Sequence, residues 1–465
     1  MIELHLSQKE IYFDHILNPS IPYYNIGSYI IIKGDLNVEL IKEAIKSSAG
    51  VFDVFGYRSF QTNSPSVVLH DVLPEIEVNQ IDASSKKWSR DDVQKWLKER
   101  VNTPFKIHRG SIYDFVLIKI TDHEYWFYIG CHHLFSDGYG IPYVFISYVF
   151  DKYHALRSGE ERSFRYPSYL ALIEKSNNYL NSKSYVADEI YWKDRFRISQ
   201  EPIFRKTLDT AFCTDTIQIL FSSTEQEKLR FFCLKNEISL QDLLIVVLTL
   251  YFKKTYAVDF FDFCVPLHNR SDRKERQTFG VFSKLIPCRL KVDDLKLSDL
   301  FLLVKSTQRQ DYRHKQFPLS HFNRMLQCQG NVSTPFDIWV NYRYFKIITS
   351  ESELNLKGIR NDATFSKTPI EFSWSDFSEN GKEDLFLEII FREDYFTREE
   401  VNLLSNRLLF IISQFYEIPD VGINSIEIIP KAEREQLLYS FNSTAVAYPK
   451  DKTIVDLFED QVKKT

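Results

Sequence analysis

The run Cys131-His132-His133-Leu134-Phe135-Ser136-Asp137-Gly138 decides the fold and contains the pattern H-H-x-x-x-D-G. It follows Tyr125-Trp126-Phe127-Tyr128-Ile129-Gly130, an unbroken apolar and aromatic run. Six residues without alternation predict a strand that is buried on both faces. Apolar residues recur at helical spacing over positions 141–149, which predicts a helix directly after the run. The pattern therefore lies on a turn between a central strand and a helix, where a rigid scaffold presents side chains to a cleft.

The residue types in this turn suit proton chemistry. Histidine titrates closest to neutral pH, so it can accept or hold a proton under working conditions. Two adjacent histidines at the end of a strand point in opposite directions, so we expect one to face the cleft and the other the interior. Asp137 is expected to fix the turn by pairing with an arginine. Gly138 either leaves room for something to pass or supplies a backbone angle that other residues avoid.

A chance origin of the pattern is the competing interpretation. An isolated pair of adjacent histidines is more often a satisfied pair in a core, beside a capping aspartate. The complete spaced pattern is expected by chance in roughly one chain in a thousand of this length. We therefore place the chemistry in this turn.

The composition limits the class of protein. A length of 465 residues suits two domains and a tail. The net charge of −5 provides no basic surface for a nucleic acid. Six cysteines without a C-x-x-C pair indicate neither a zinc site nor a disulfide framework. The apolar run over 243–252 is too short to cross a membrane, and no signal peptide opens the sequence, so we expect a cytoplasmic protein.

The sequence resembles the condensation domains of nonribosomal peptide synthetases, which have H-H-x-x-x-D-G as their hallmark. Other blocks of that family occur here in the family's order. Tyr24-Asn25 resembles its early Y-N. The segment Phe52-Asp53-Val54-Phe55-Gly56-Tyr57-Arg58-Ser59-Phe60 resembles its R-H-E-x-L-R-T-x-F, with Arg58 and the final aromatic kept and R-H-E lost. Arg58 is therefore the predicted partner of Asp137.

The second half carries further blocks of the same family. Pro266-Leu267-His268-Asn269-Arg270 resembles the family's P-V-x-x-R. Phe279-Gly280-Val281-Phe282 resembles its G-x-F-V-N-T, but Ser283-Lys284 stands where the family has N-T. His314-Lys315-Gln316-Phe317-Pro318 resembles H-Q-D-Y-P-F. After about residue 428, Phe441-Asn442-Ser443-Thr444 and the segment from Thr453 resemble the linker and first helix of an adenylation domain.

The resemblance implies an α/β fold of two chloramphenicol-acetyltransferase-like lobes, arranged as a V-shaped pseudo-dimer. We predict a first lobe (1–170) with the H-H-x-x-x-D-G turn, a second lobe (171–428), and a linker with the start of an adenylation domain (429–465). The implied reaction joins an upstream acyl or peptidyl thioester to the amine of an aminoacyl thioester on a downstream carrier.

The resemblance also implies roles for the residues of the turn. His133, the second histidine, is the catalytic candidate, and it either accepts a proton or orients the amine. His132, Asp137, Gly138 and Arg58 support it structurally. The domain itself is expected to bind no cofactor and no metal, because its substrates arrive as 4'-phosphopantetheine thioesters or as a coenzyme A thioester.

Several alternatives and partners follow from the resemblance. An epimerization domain shares the motif but normally precedes another condensation domain. A heterocyclization domain would replace the histidines with an aspartate pattern, and an inactive recruitment domain would have lost the second histidine. The expected partners are donor and acceptor peptidyl carrier proteins and a downstream adenylation domain in the same chain, with no nucleic acid, no membrane and a monomeric state. Met1 lies only a few residues before Leu6-Ser7-Gln8-Lys9-Glu10-Ile11-Tyr12-Phe13, which resembles the family's opening block, S-x-x-Q followed by an aromatic. The donor is therefore expected from outside the chain, which together with the Tyr24 and Arg58 blocks favours a starter (lipoinitiation) domain.

Overall fold

Helices and strands alternate along the whole chain, as the α/β class requires. The computed structural model describes residues 1–198, 200–204, 212–328, 336–344, 347–349, 353–376, 385–417, 421–447 and 449–464. The elements up to the end of the predicted first lobe are β1 (Ile2–Glu3), α1 (Leu6–His15), β2 (Asn25–Lys33), α2 (Val38–Ser47), β3 (Tyr57–Phe60), β4 (Ser66–Leu69), β5 (Asn79–Asp82), α3 (Arg90–Val101), β6 (Tyr113–Thr121), β7 (Glu124–His132) and α4 (Ser147–Ser158).

The chain from residue 170 onwards contains more helix than the part before it. Its elements are α5 (Leu170–Asn178), α6 (Lys183–Arg195), β8 (Thr214–Leu220), α7 (Ser223–Lys235), α8 (Leu240–Tyr256), β9 (Phe260–Leu267), α9 (Arg273–Arg276), β10 (Lys284–Lys291), α10 (Leu297–Arg313), α11 (Leu319–Cys328), β11 (Ile338–Tyr344), β12 (Asn355–Arg360), β13 (Ile370–Asp376), β14 (Leu385–Arg392), α12 (Arg398–Glu417), α13 (Lys431–Glu435) and α14 (Ile454–Val462).

The first large sheet has β7 near its centre, in the strand order β12-β2-β7-β6-β5. All nine residues of β7 are buried, as the unbroken apolar run predicted. Phe127 and Ile129 enter a core with residues of α2 and α4, whereas Trp126 and Tyr128 enter a separate core with residues of α3. Both faces of β7 are therefore covered, which explains why the strand shows no polar alternation.

The second large sheet has the order β10-β9-β11-β13-β14-β8 and forms the larger core together with α8, α10 and α12. Ser239 begins α8 with a capping box, in which its hydroxyl accepts from the Asp242 N–H and the Asp242 carboxylate accepts from Ser239. The middle of α8 is buried, so the apolar run over 243–252 is an internal helix. No helix within the described ranges is long and apolar enough to cross a membrane.

One strand crosses the boundary predicted at residue 170. β12 belongs to the second half of the sequence but pairs antiparallel with β2, so it forms the edge of the first sheet. A third, small sheet has the order β1-β4-β3. The division into 1–170, 171–428 and 429–465 stays a prediction, with β12 as an exception to any clean separation. In the tail, no residue of α14 is buried.

Candidate functional site

The H-H-x-x-x-D-G turn connects β7 to a helix, as predicted. β7 ends at His132, and a π-helical segment, Ile141–Ile146, continues without a break into α4. The Gln8 side chain of α1 donates from Nε2 to the Leu134 carbonyl oxygen over 2.8 Å. The turn is thereby attached to the first helix as well as to its own strand.

His132 is a buried structural residue. The Leu134 N–H donates to its Nδ1 over 3.1 Å, so the ring proton lies on Nε2, which is 3.2 Å from Nδ1 of His15. Burial lowers the pKa of His132 well below its ordinary value, and His15 and His133 add to this effect. The imidazole is therefore neutral and fixed in one tautomer, which supports the structural role predicted for it.

His133 has the opposite character, because its ring is half-buried. Its backbone N–H donates to the Tyr24 carbonyl oxygen over 2.8 Å, which fixes the residue beside β2. Nδ1 is buried without a hydrogen-bond partner among the described residues. Burial lowers the pKa of His133, although Asp137 opposes the shift. The result is a neutral imidazole that can accept a proton at neutral pH.

Asp137 joins the turn to the second lobe. Its Oδ2 accepts from Arg270 Nη1 over 2.9 Å and from the N–H groups of Phe282 and Ser283 over 2.8 and 3.1 Å. Its Oδ1 accepts from the Gly140 N–H over 2.8 Å. Burial alone would raise the pKa of Asp137, but the Arg270 guanidinium and the surrounding N–H groups hold it below its ordinary value.

The predicted pairing of Arg58 with Asp137 is wrong. Arg58 lies on β3 of the small sheet with its side chain exposed, whereas the partner, Arg270, follows β9 and is fully buried together with Asp137. Arg270 also donates from Nη2 to the Gly280 carbonyl oxygen over 3.1 Å. Its guanidinium lies over the ring of Phe282, 4.5 Å from the ring centre. A buried carboxylate requires a buried cation, and the exposed Arg58 side chain on the small sheet cannot supply one.

Sequence reasoning missed several residues that hold the turn. The P-L-H-N-R block already contained Arg270, and its place after a buried strand was the signal that could have identified it. His15 and Gln8 lie on α1, and nothing in their spacing relates them to a turn more than a hundred residues away. Among the described residues, no group of histidines, cysteines and carboxylates could hold a metal ion.

Gly138 is exposed, and a Cβ built on it would meet no atom within 4 Å. Its φ lies outside the left-handed region, so the backbone-angle explanation does not apply. Clearance for a substrate remains the prediction. Gly138→Val should keep the wild-type stability within about 0.5 kcal/mol, abolish condensation of carrier-bound substrates, and retain more of the reaction with a small soluble amine.

The matched control is Gly140→Ala. A Cβ on Gly140 would lie 2.5 Å from Ser136 Oγ and 3.3 Å from the Phe279 ring, so this variant should lose stability as well as rate. Melting curves beside the two rate assays separate the variants. Equal loss of both reactions in Gly138→Val would contradict the clearance role.

Three buried histidines predict a loss of stability in acid. Burial lowers the pKa of His5 to about 3 and of His15 to about 4, and that of His132 lies well below the ordinary value. Below about pH 6.5 the unfolded chain binds these protons and the folded chain does not. The free energy of unfolding should therefore fall as the pH falls, by up to about 1.4 kcal/mol per pH unit for each histidine.

Denaturant unfolding at pH 7.0, 6.0 and 5.0 measures this slope. An unfolding free energy that stays constant from pH 7 to pH 5 would contradict the assignment of neutral buried histidines.

Comparison with known proteins gives one family. The family model described as "Condensation domain" matches residues 1–438. The chain is 23% identical over 483 residues to surfactin synthase subunit 1 of Bacillus subtilis (strain 168), covering 98% of the chain and 13% of that protein. It is 23% identical over 453 residues to bacitracin synthase 1 of Bacillus licheniformis, covering 95% of the chain and 8% of that protein. The chain thus spans less than a fifth of the length of these curated relatives.

Solved structures give the same fold. The chain is similar to the first condensation domain of the calcium-dependent antibiotic synthetase in complex with a substrate analogue, with a TM-score of 0.77, 16% identity, and coverage of 92% of this chain and 99% of that one. It is also similar to the starter condensation domain of rhizomide synthetase in complex with C8-CoA, with a TM-score of 0.78, 19% identity, and coverage of 92% and 98%. The predicted fold of two chloramphenicol-acetyltransferase-like lobes is confirmed.

Proposed function

Because the chain belongs to the condensation domain family of nonribosomal peptide synthetases, we propose that it forms an amide bond between two carrier-bound substrates. The donor is an acyl or peptidyl thioester, and the acceptor is the amine of an aminoacyl thioester. The observation that carries this proposal is the half-buried His133 ring of the H-H-x-x-x-D-G turn, which its lowered pKa keeps neutral.

The reaction needs little help to begin. A free α-amine titrates near pKa ~7.7–8.0, so its neutral form costs only about 1 kcal/mol at neutral pH. Accepting a hydrogen bond from this amine, His133 Nε2 orients it towards the thioester carbonyl carbon. Attack forms the C–N bond and leaves a tetrahedral adduct with a protonated nitrogen.

His133 then accepts the proton that the nitrogen must lose. The C–S bond breaks, the thiolate leaves with the electron pair, and the imidazolium returns the proton to the thiolate. Neutral His133 is the form required at the start, and its lowered pKa supplies that form at neutral pH. The acid limb of the rate profile is therefore expected below the ordinary histidine pKa of about 6.5.

Each rival function disagrees with one feature of the chain. A recruitment domain without activity has no need for a neutral, accessible second histidine. An epimerization domain shares the turn, but the segment from Thr453, with its exposed α14, resembles the entry to an adenylation domain. A heterocyclization domain would not retain both histidines.

The partners in this proposal are donor and acceptor carrier proteins, whose 4'-phosphopantetheine arms bring the thioesters to His133. The domain itself holds no cofactor, acts as a cytoplasmic monomer, and is followed by an adenylation domain. The donor is an acyl thioester in a starter reaction, for which the Tyr24 and Arg58 blocks are the support. One of the solved structures to which the chain is similar is a starter condensation domain in complex with C8-CoA.

The donor class is tested by offering one loaded acceptor carrier three donors in turn, namely acyl-CoA, an acyl carrier and a peptidyl carrier. A starter domain is expected to form amide with an acyl donor and to leave the peptidyl carrier unreacted. Efficient reaction with the peptidyl carrier alone would overturn the starter assignment and retain condensation. If none of the three donors gives an amide product, condensation itself is overturned.

A further inference from the structure

Two segments of the second lobe, at Arg270 and at 282–284, form one wall beside the H-H-x-x-x-D-G turn. Arg270 and the N–H groups of Phe282 and Ser283 all bind Asp137. Lys284 follows Ser283 directly and begins β10. It also stands at a position where the family block has a threonine. The wall therefore carries a cation one residue from a group that holds the catalytic turn.

Lys284 is half-buried, and its ammonium has few partners. Nζ donates to the Gln316 carbonyl oxygen over 2.8 Å and lies 3.5 Å from Gln316 Oε1. Among the described residues, no carboxylate oxygen lies within 4.0 Å of it. An ammonium has three N–H groups, and both contacts here go to one residue. At least one N–H therefore remains available for another acceptor.

The carboxylates that act on Lys284 from a distance are engaged elsewhere. Glu10 of α1 accepts from the N–H and the hydroxyl of Ser320 over 2.8 and 2.6 Å. Asp188 accepts from Nδ1 of His314 over 2.7 Å and also from a tyrosine hydroxyl. Lys315 adds a second positive charge to the same surroundings. The two carboxylates balance the charges of Lys284 and Lys315, but neither forms an ion pair with Lys284 in the part of the chain that the structure describes.

The backbone beside this contact is strained. Asn269 lies directly before Arg270 with φ of 50°, in the left-handed region that residues other than glycine rarely adopt. Its side-chain oxygen lies 3.4 Å from Gln316 Nε2, and the residue is buried. Such strain persists where the surroundings hold it, and it concentrates at functional sites. Gln316, which binds Lys284, therefore also contacts the segment that carries Arg270.

The charge state of Lys284 fits a ligand-binding role. Burial lowers the pKa of Lys284 to about 8, and Glu10 and Asp188 oppose the shift. The ammonium is thus largely charged at neutral pH, although it is partly removed from water. Buried charges in proteins are paired, and here the protein supplies no anion at contact distance among the described residues. An anion brought by the substrate would complete the pair.

We propose that Lys284 is a specificity residue for a substrate acyl group that carries a carboxylate, which its ammonium binds beside the H-H-x-x-x-D-G turn. This inference rests on the proposed condensation activity. A carboxylate fits better than the phosphodiester of the carrier arm, because the phosphodiester lies at the far end of the arm from the thioester. A dicarboxylic donor acyl group and an acidic acceptor amino acid share this chemistry.

The test compares matched substrates that differ only in charge. Aspartyl and asparaginyl groups, and glutamyl and glutaminyl groups, are loaded on the acceptor carrier in one arm and at the end of the donor acyl chain in the other. In one of these two arms, the kcat/KM of the wild-type chain is expected to be higher for the carboxylate substrate than for its matched amide. Lys284→Met should lower kcat/KM by about 10- to 100-fold for that carboxylate substrate and by less than about twofold for its amide.

The controls separate charge from structure. Lys291 is the exposed last residue of the same strand, and Lys291→Met should leave both rates unchanged. Lys284→Thr introduces the threonine of the family block, and it should lower kcat/KM for the carboxylate substrate as Lys284→Met does. It replaces Lys284→Met in the test if Lys284→Met folds poorly. Lys284→Arg should retain part of the preference.

The outcomes are distinguishable. Equal loss for the carboxylate and the amide, or a wild type without preference in either arm, would overturn the role of Lys284 while amide formation itself stands. No amide from any substrate would overturn the condensation activity and this inference with it.

Discussion

His133→Ala is expected to slow amide formation by roughly 10²- to 10⁴-fold and to leave the fold intact. The ring is half-buried, and its Nδ1 makes no hydrogen bond among the described residues, so its removal breaks no side-chain contact of that kind. What is lost is the Nε2 that orients the amine and takes its proton. The rate of single turnover with both carriers saturating measures the effect directly.

Two histidines serve as controls for this variant. His132→Ala should behave differently, because its ring is buried and accepts from Leu134, so this variant should lose stability together with rate. The exposed His123→Ala should lose neither. A well-folded His133→Ala protein that condenses near the wild-type rate would remove His133 from the mechanism.

Asp137→Ala is expected to destabilise the protein by about 3–5 kcal/mol, as is usual when one partner of a buried ion pair is removed. The change leaves the Arg270 guanidinium without its carboxylate and strips an acceptor from the N–H groups of Phe282 and Ser283. Arg270→Ala should cost a similar amount. The double variant should lose less than the sum of the two, because the stranded charge is then gone.

The control for this pair is Arg58→Ala, which removes an exposed arginine of β3 and should change the unfolding free energy by no more than about 0.5 kcal/mol. Urea unfolding of the four variants completes the cycle. Strictly additive losses for Asp137 and Arg270 would show that the pair contributes no coupling. A loss for Arg58→Ala as large as that for Arg270→Ala would contradict the expectation that the buried pair carries the stability.

The strand, turn and helix around the site could be predicted from sequence, because their signals are local. An apolar run without alternation predicted that β7 is buried on both faces, and it is. Helical spacing after the turn predicted the segment that becomes α4. The capping boxes that begin α3 and α8, each a serine with an aspartate three positions later, are also local patterns.

The partners of the turn could not be predicted in the same way. Asp137 and Arg270 are separated by 133 positions, and the local pattern that Arg58 shares with the family gives no information about which way its side chain points. The pairing of β12 with β2 could not be predicted for the same reason. A short strand of six residues carries no signal for a partner more than three hundred positions away. Contacts between distant segments depend on packing that periodicity does not encode.

Intact-mass analysis of both carriers during a single turnover tests the central claim most directly. With the wild-type chain, we expect the acyl group to leave the donor carrier and to appear on the aminoacyl acceptor carrier at the same rate, and we expect His133→Ala to slow both changes together. Loss of the donor acyl group without gain on the acceptor, or unchanged masses on both carriers, would contradict amide formation at this turn.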